Sequence, residues 1–322
     1  MSIASPRLSR NRAPIRVSFE FFPPKTDEME KALWESIARL EPLNPNFVSV
    51  TYGAGGTTRQ RTHATVERIA RETTLRPAAH LTCVGATRDE INEVIRDYKA
   101  AGVHHIVALR GDPPGGIDAP YQPLPDGYQS VDELVYAIKT IGDFEVSVGT
   151  YPEKHPQSPN ILHDVEMLKR KVDAGADRAI TQFFFDNSVY LRFLDVAAAA
   201  GIKIPIVPGI VPVQNFKQTA NFAKRAGASI PAWLAERFEG LDDDLATRRL
   251  VAAAVCAEQV IDLIDHGVED LHFYTMNRAD LVYAICHLIG LRAGDREAPA
   301  SWALAQAGAA KVAESIVLPM TR

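Results

Sequence analysis

Glu20 is the residue of this chain whose chemistry is hardest to explain away. The run Val17-Ser-Phe-Glu-Phe-Phe-Pro-Pro24 sets one carboxylate among phenylalanines, and two prolines then stop the segment. Burying a lone ionised carboxylate is costly, or it raises the pKa of the group. A carboxyl whose pKa is raised toward the working pH suits general acid catalysis. The bland alternative is a glutamate turned to solvent or paired with an arginine. Other polar residues close apolar runs in the same way: Thr51 and Tyr52, His80, Arg110-Gly-Asp112, Tyr151 followed by His155, Gln182 and Arg278. Gln182 lies in Ala179-Ile-Thr-Gln-Phe-Phe-Phe-Asp186 and must find both donors and acceptors there; its amide edge suits recognition of a heterocycle. Lys169-Arg-Lys171 reads either as a solvated helix face or as an anchor for a pyrophosphate. His80 is as readily a satisfied core histidine, and Asp112, ahead of Pro113 and Pro114, a turn former.

Several chemistries find no support in the residue spacing. His104 and His105 are adjacent and would face opposite sides of a strand, Glu20 has no histidine four residues on, and no metal site is expected. There is no serine nucleophile elbow and no Walker loop, and Gly53-Ala-Gly-Gly56 is too short for a dinucleotide fingerprint. Cys83, Cys256 and Cys286 are odd in number and widely spaced, against a disulfide framework. A net charge of -5 without a dense basic stripe argues against nucleic acid as a partner. No segment has the character of a signal peptide or a membrane span, so a reducing, cytoplasmic setting is expected, with residues 1–13 a disordered arm.

The elements that must position these residues alternate along the chain. Strand-like runs occupy 15–22, 47–52, 78–84, 105–109, 144–151, 179–185, 204–211 and 271–276. Helical stretches lie between them at 28–40, 59–71, 88–101, 131–141, 161–174, 188–200 and 215–226, and another follows at 279–289. Gly102, Gly175, Gly201 and Gly267 each close a helix shortly before a strand, as αβ turns require. Eight strands in βα units predict an α/β fold, a closed (β/α)8 TIM barrel over residues 14–291, whose function gathers at the C-terminal strand ends. The stretch 229–266 breaks the period and predicts extra helices before the eighth strand. Residues 292–322 form an alanine-rich tail with one apolar helical stretch, either docked on the barrel or part of a homo-oligomer contact.

Seven runs, in order, resemble the bacterial methylenetetrahydrofolate reductase family: Ser18-Phe-Glu-Phe-Phe-Pro-Pro24, Phe47-Val-Ser-Val-Thr-Tyr-Gly-Ala54, His80-Leu-Thr-Cys83, Ala108-Leu-Arg-Gly-Asp112, Lys169-Arg-Lys-Val-Asp-Ala-Gly175, Ile180-Thr-Gln-Phe-Phe-Phe-Asp186 and Phe273-Tyr-Thr-Met-Asn-Arg278. The resemblance is collinear over about 17–291. It implies a flavoprotein barrel that passes hydride from NADH or NADPH to FAD, and from the flavin to 5,10-methylenetetrahydrofolate, giving 5-methyltetrahydrofolate. The two substrates would take turns on one flavin face, and the folate step could run in reverse. By the same resemblance Glu20 is the general acid, and Asp112 tunes the flavin and helps bind folate. Gln182, Phe216 and Arg278 are implied to bind substrate. Thr51, Tyr52, Ala54, His80, Arg110, Gly111, Asp112, Tyr128, Tyr151, His155, Asp164, Arg170 and Lys171 are implied to line FAD.

The chain departs from the family pattern between Asp112 and Tyr151, where a proline- and glycine-rich stretch, 113–127, replaces a shorter loop and makes Tyr121 a rival of Tyr128 for the flavin. Two other functions compete: a folate-binding methyltransferase-type barrel without flavin chemistry, which would be colourless, and a non-catalytic scaffold, against which the polar strand ends argue. The 113–127 loop should border the mouth of the site. Shortening it is expected to change flavin retention or the Michaelis constants and to leave the fold intact; unchanged values for all of these would reduce it to a surface insertion.

Overall fold

Apolar runs that alternate with amphipathic helices can bury their strands on both faces only in a parallel sheet covered by those helices. The computed structural model describes residues 14–52, 59–113, 119 and 121–294. The N-terminal arm, most of the 292–322 tail, the glycine loop with Ala54 and part of the 113–127 loop lie outside the described residues. The strands are β1 (Arg16–Phe21), β2 (Val48–Val50), β3 (Pro77–Thr82), β4 (His105–Leu109), β5 (Glu145–Thr150), β6 (Arg178–Thr181), β7 (Ile206–Val207), β8 (Gly209–Ile210) and β9 (Asp270–Tyr274). They pair in parallel in the order β7-β6-β5-β4-β3-β2-β1-β9-β8.

The expected seventh strand, 204–211, is two short pieces because Pro208 has no N–H to give to a ladder. β7 pairs with β6 and β8 with β9, so the ring closes across the proline. The Pro208 carbonyl still accepts from His272 N (3.0 Å), and Gly209 N donates to Thr181 Oγ1 (2.9 Å). Gly209 leaves no room for a side chain: a Cβ there would lie 2.2 Å from Thr181 O and 2.6 Å from Tyr274 Cε2.

Helices α1 (Asp27–Leu40), α2 (Arg59–Glu72), α3 (Arg88–Ala100), α4 (Val131–Ile141), α5 (Ile161–Asp173) and α6 (Asn187–Ala199) follow β1 to β6. Their starts are specified locally: Thr26, Asn160 and Asp186 accept backbone N–H groups from the first turns of α1, α5 and α6, and Thr87 forms a reciprocal capping box with Glu90 on α3. The apolar face of α1 is Leu33, Ile37 and Leu40, at the spacing of one helical stripe, and all three are buried. All four helix-closing glycines named above take positive φ.

Extra helices do precede the last strand. They are α7 (Phe216–Ala226), α8 (Ala232–Phe238) and α9 (Leu245–Asp265), and α10 (Ala279–Leu288) follows β9. The long α9 packs beside α6, α8 and α10, which gives it a place in the outer ring. α7 and α8 instead cover a second apolar cluster that includes Phe183, Phe185, Val211, Val213, Leu234 and Phe238.

The barrel interior is stacked from base to mouth. At the base Arg16 forks onto Asp270 (2.8 and 2.5 Å), and Glu145 pairs with Arg178 and Arg76. Above this lie Phe47, Ala78, Val107 and Ile180, with the His105 ring edge-on to Phe47 at 4.5 Å. Gly209→Ala should destabilise the protein by about 1–3 kcal/mol through overpacking against Thr181 and Tyr274. Urea unfolding reads this, and an unchanged midpoint would show that the broken strand yields freely.

Candidate active site

Parallel register puts chemistry from β1, β2, β3 and β9 on one level. Glu20 is opposite Ser49 on β2 and Tyr274 on β9, and Ser18 is opposite His272. Glu20 is 8% exposed. Its Oε2 is 3.3 Å from His80 Nε2, 3.5 Å from His272 Nε2 and 3.5 Å from Ser49 Oγ. Burial pushes the carboxyl up, but the positive polarity of the His80 and His272 Nε2 edges beside it outweighs burial and holds the group at about 2. The rise in the Glu20 pKa expected from burial alone is therefore absent. The reason is the two histidines, which come from strands distant in sequence. Burial holds His272 below its usual range, and burial together with the Glu20 charge keeps the Tyr274 hydroxyl well above its own.

The end of β1 is fastened to the turn after β9. The Glu20 carbonyl accepts from Thr275 N (3.2 Å) and Thr275 Oγ1 (2.6 Å). The Asn277 side chain works like one more strand residue: Oδ1 accepts from Phe22 N (2.8 Å) and Nδ2 donates to Phe22 O (2.9 Å). Ser36 Oγ donates to the Asn277 carbonyl at 2.8 Å. Met276 and Asn277 sit at φ 53° and 55°. Left-handed backbone costs a non-glycine residue about 1–2 kcal/mol, and these hydrogen bonds offset it. Arg278 leaves this turn with Nη1 3.1 Å from Gln214 Oε1.

The ends of β4, β5 and β6, with α5, carry the second group. Arg110 Nη1 donates to Gln157 Oε1 (2.7 Å), and its guanidinium lies 4.8 Å from the Tyr121 ring centre. Gly111 follows at φ 80°, and Asp112 is exposed. Tyr151 stacks edge-on with His155 at 4.6 Å; burial and the nearby Asp112 charge push its hydroxyl up to about 12. Burial and the Arg110 charge bring His155 down to about 4. Asp164 organises the loop before α5, accepting from His155 N (3.0 Å) and Ser158 Oγ (2.5 Å). Lys171 Nζ donates to the Gly149 carbonyl (2.9 Å), and burial lowers it to about 8. Gln182 N bonds Thr150 O (2.7 Å), and its side chain meets the Tyr151 hydroxyl.

Four of the expected residues have partners within the protein. Thr51 extends the β1–β2 pairing through its N–H to Phe21 O (2.9 Å). Arg170 pairs with Asp132 of α4 at 2.8 Å. Phe216 stacks on Phe238 in the second apolar cluster, 5.7 Å between ring centres. Tyr128 faces α3, its hydroxyl on Asn92 Oδ1 (2.6 Å) and the Arg88 guanidinium 4.9 Å from its ring centre, whereas Tyr121 is the tyrosine beside Arg110. Tyr52 is half-buried, and burial raises its hydroxyl. Ala54 lies outside the described residues.

Ser18, Ser49, His272, Tyr274 and Asn277 were not singled out from the sequence. Two-residue alternation could have found the first four: Ser18 shares a strand face with Glu20, and His272 shares one with Tyr274. Thr82 Oγ1 at the end of β3 and the Tyr121 hydroxyl on the loop after β4 are buried without a hydrogen-bond partner in the protein, and a bound ligand could satisfy them. The cations Arg110 and Lys171 and the amide of Gln182, carried at the ends of β4 and β6 and on α5, are a donor set that fits a diphosphate joined to a heterocycle.

This arrangement has relatives. The methylenetetrahydrofolate reductase family model matches residues 7–290. The chain is 52% identical over 287 residues to 5,10-methylenetetrahydrofolate reductase of Escherichia coli, covering 89% of this chain and 95% of that one. With the enzyme of the same name from Pectobacterium carotovorum it shares 50% over 287 residues, 88% of this chain and 93% of the other. Among solved structures, a Clostridium thermocellum protein that binds two copies of 5-methyl-5,6,7,8-tetrahydrofolic acid superposes with a TM-score of 0.58 at 16% identity, over 86% of this chain and 94% of that one, a likeness of fold. Sequence identity of this extent, on a barrel that gathers the matched residues at its strand ends, places the chain in the methylenetetrahydrofolate reductase family.

Proposed function

We propose that this protein reduces 5,10-methylenetetrahydrofolate to 5-methyltetrahydrofolate at the expense of NADH or NADPH, with FAD held at the ends of β3 to β5. Family membership supports the reaction. The single observation that carries the site is the buried Glu20 carboxylate between His80 and His272 at the C-terminal mouth. FAD, when bound, accepts hydride from the nicotinamide and supplies it to the methylene carbon of the folate.

The chain's own residues orient and protonate. Arg110 and Lys171 present positive charge for a diphosphate, and Gln182, fixed through its backbone to Thr150, offers an amide edge to the pterin or the nicotinamide. Asp112, exposed on the loop after β4, is within reach of the ring system that Arg110 and Tyr151 border. Arg278, in the turn after β9, and Phe216, stacked on Phe238 at the start of α7, would meet the substrate from that side. Glu20 delivers the proton that ring opening requires, at the folate nitrogen released as the carbon–nitrogen bond breaks. Folate bound over the mouth would cover the last exposed part of Glu20, which favours the neutral acid. Because both substrates present a carbon to one flavin face, the kinetics should be ping-pong.

Two measurements test this reading. The purified protein, after addition of FAD, should show flavin absorbance bands; a colourless protein that retains no FAD would end the flavin assignment and favour a folate-binding barrel without redox chemistry. Glu20→Gln keeps the shape and removes the ionisable proton. It should slow the folate half-reaction by about 10²–10⁴ in stopped-flow absorbance and leave flavin reduction by the nicotinamide nearly unchanged. Wild-type folate rates, or equal loss in both halves, would make Glu20 structural.

A further inference from the structure

Beneath Glu20 lies a second layer of polar groups that the reaction as described does not use. His272 is fully buried, and its two ring nitrogens face different partners. Nδ1 is 2.7 Å from Ser18 Oγ, while Nε2 lies 3.5 Å from Glu20 Oε2, an electrostatic contact, and makes no hydrogen bond. Ser18 has one hydroxyl proton and two places to put it, His272 Nδ1 at 2.7 Å or the Leu271 carbonyl at 3.5 Å. Donation to Nδ1 is favoured, because the Leu271 contact is at the limit of a hydrogen bond and the Nε2 side of the ring faces a carboxylate that can only accept. Nδ1 is then the acceptor, and a neutral imidazole must carry its proton on Nε2.

We infer that His272 is a positioning residue for the Glu20 carboxylate, and that Ser18 locks its imidazole in the tautomer that presents the Nε2 proton to Glu20. The inference rests on the reading of Glu20 as the acid of the folate step. It gives the buried serine and histidine a purpose that packing does not require, since apolar residues would fill a barrel interior more cheaply.

The surroundings favour a neutral ring. Phe47 stacks on one side of His272 at 5.8 Å, and Tyr274 meets it edge-on at 5.3 Å. Burial lowers the proton affinity of His272, the Glu20 charge raises it, and His80 from β3 and Arg178 from β6 lower it again. His105 on β4 is buried, held well below its usual range by burial and the Arg178 and Arg76 charges, and engaged with Ser147 on β5 at 2.8 Å. On the Glu20 side the facing groups are Ser49 on β2, His80 on β3 and Tyr274 on β9. Of the two histidines, His272 is the one that Ser18 fixes, so it acts as a constant donor. A fixed donor stabilises the ionised carboxylate and lowers the pH at which Glu20 gives up its proton.

The test has two independent arms. Nitrogen-15 histidine NMR of the wild-type protein near neutral pH should show His272 with a pyridine-like Nδ1 and a pyrrole-like Nε2, and Ser18→Ala should abolish that fixed tautomer. An imidazolium, or a proton on Nδ1 in the wild type, would overturn the inference whatever the protein catalyses. In the flavin-loaded enzyme, Ser18→Ala should move the pH at which the folate half-reaction declines upward by about one unit, because the carboxyl then binds its proton more tightly. The nicotinamide half-reaction should keep its profile. An unmoved folate profile alongside the expected tautomer overturns the positioning role, whereas absence of any folate half-reaction in the wild type overturns the functional reading and leaves the tautomer result standing.

Discussion

A charged carboxylate inside a barrel is the constraint on which the arrangement of the mouth depends. Ionised Glu20 loses most of its water to the surrounding strands, and an unpaired charge there would cost several kcal/mol. The protein answers with three neighbours from three other strands: Ser49, His80 and His272. Each can arrive only if β1, β2, β3 and β9 hold one register, so the electrostatics of the site and the hydrogen-bond ladder of the sheet support each other. A slip of one residue would turn Glu20 outward into the helix layer.

The seam between β1 and β9 is where this coupling is tightest. At the base it is an Arg16–Asp270 fork, in the middle Ser18 on His272, and at the mouth Thr275 and Asn277 on the backbone of Glu20 and Phe22. The left-handed residues Met276 and Asn277 persist because hydrogen bonds to Phe22 and Ser36 over-determine the turn. The same turn holds Arg278 against Gln214 and fixes the carbonyl of Glu20. On the far side the ring tolerates a proline, because Thr181 and His272 take over the bonds that Pro208 interrupts.

The two halves of the mouth differ in character. Around Glu20 the groups are buried and titratable, which suits a step whose outcome depends on where one proton sits. Around Arg110 and Lys171 they are cationic and held by carbonyl, amide and aromatic partners, which suits a ligand with fixed negative charge. The 113–127 loop adds to the second half through Tyr121, whose ring covers Arg110, and through Ala119, whose carbonyl accepts from Gln157. Tyr128, on the helix side of the same loop, is taken by Asn92 and Arg88 instead.

Local physics made much of this legible in the chain itself. Apolar runs of strand length, helical stripes such as Leu33-Ile37-Leu40, capping residues such as Thr87 and helix-closing glycines depend on neighbours within a few positions, so the order of elements and the barrel could be read from them. Glu20, Gln182 and Lys171 stood out because a polar group in an apolar run, or a cation cluster, is conspicuous without coordinates. What only the tertiary structure decided were properties set by groups far apart in sequence. The pKa of Glu20 was expected to rise from burial alone; it falls because His80 and His272 reach it across the sheet, and electrostatic attraction depends on distance in space. The splitting of 204–211 by Pro208, the assignment of α9 to the outer ring, the choice between Tyr121 and Tyr128 beside Arg110, and the Ser18–His272 contact share that cause: each is settled by what packs on the residue from another strand or helix.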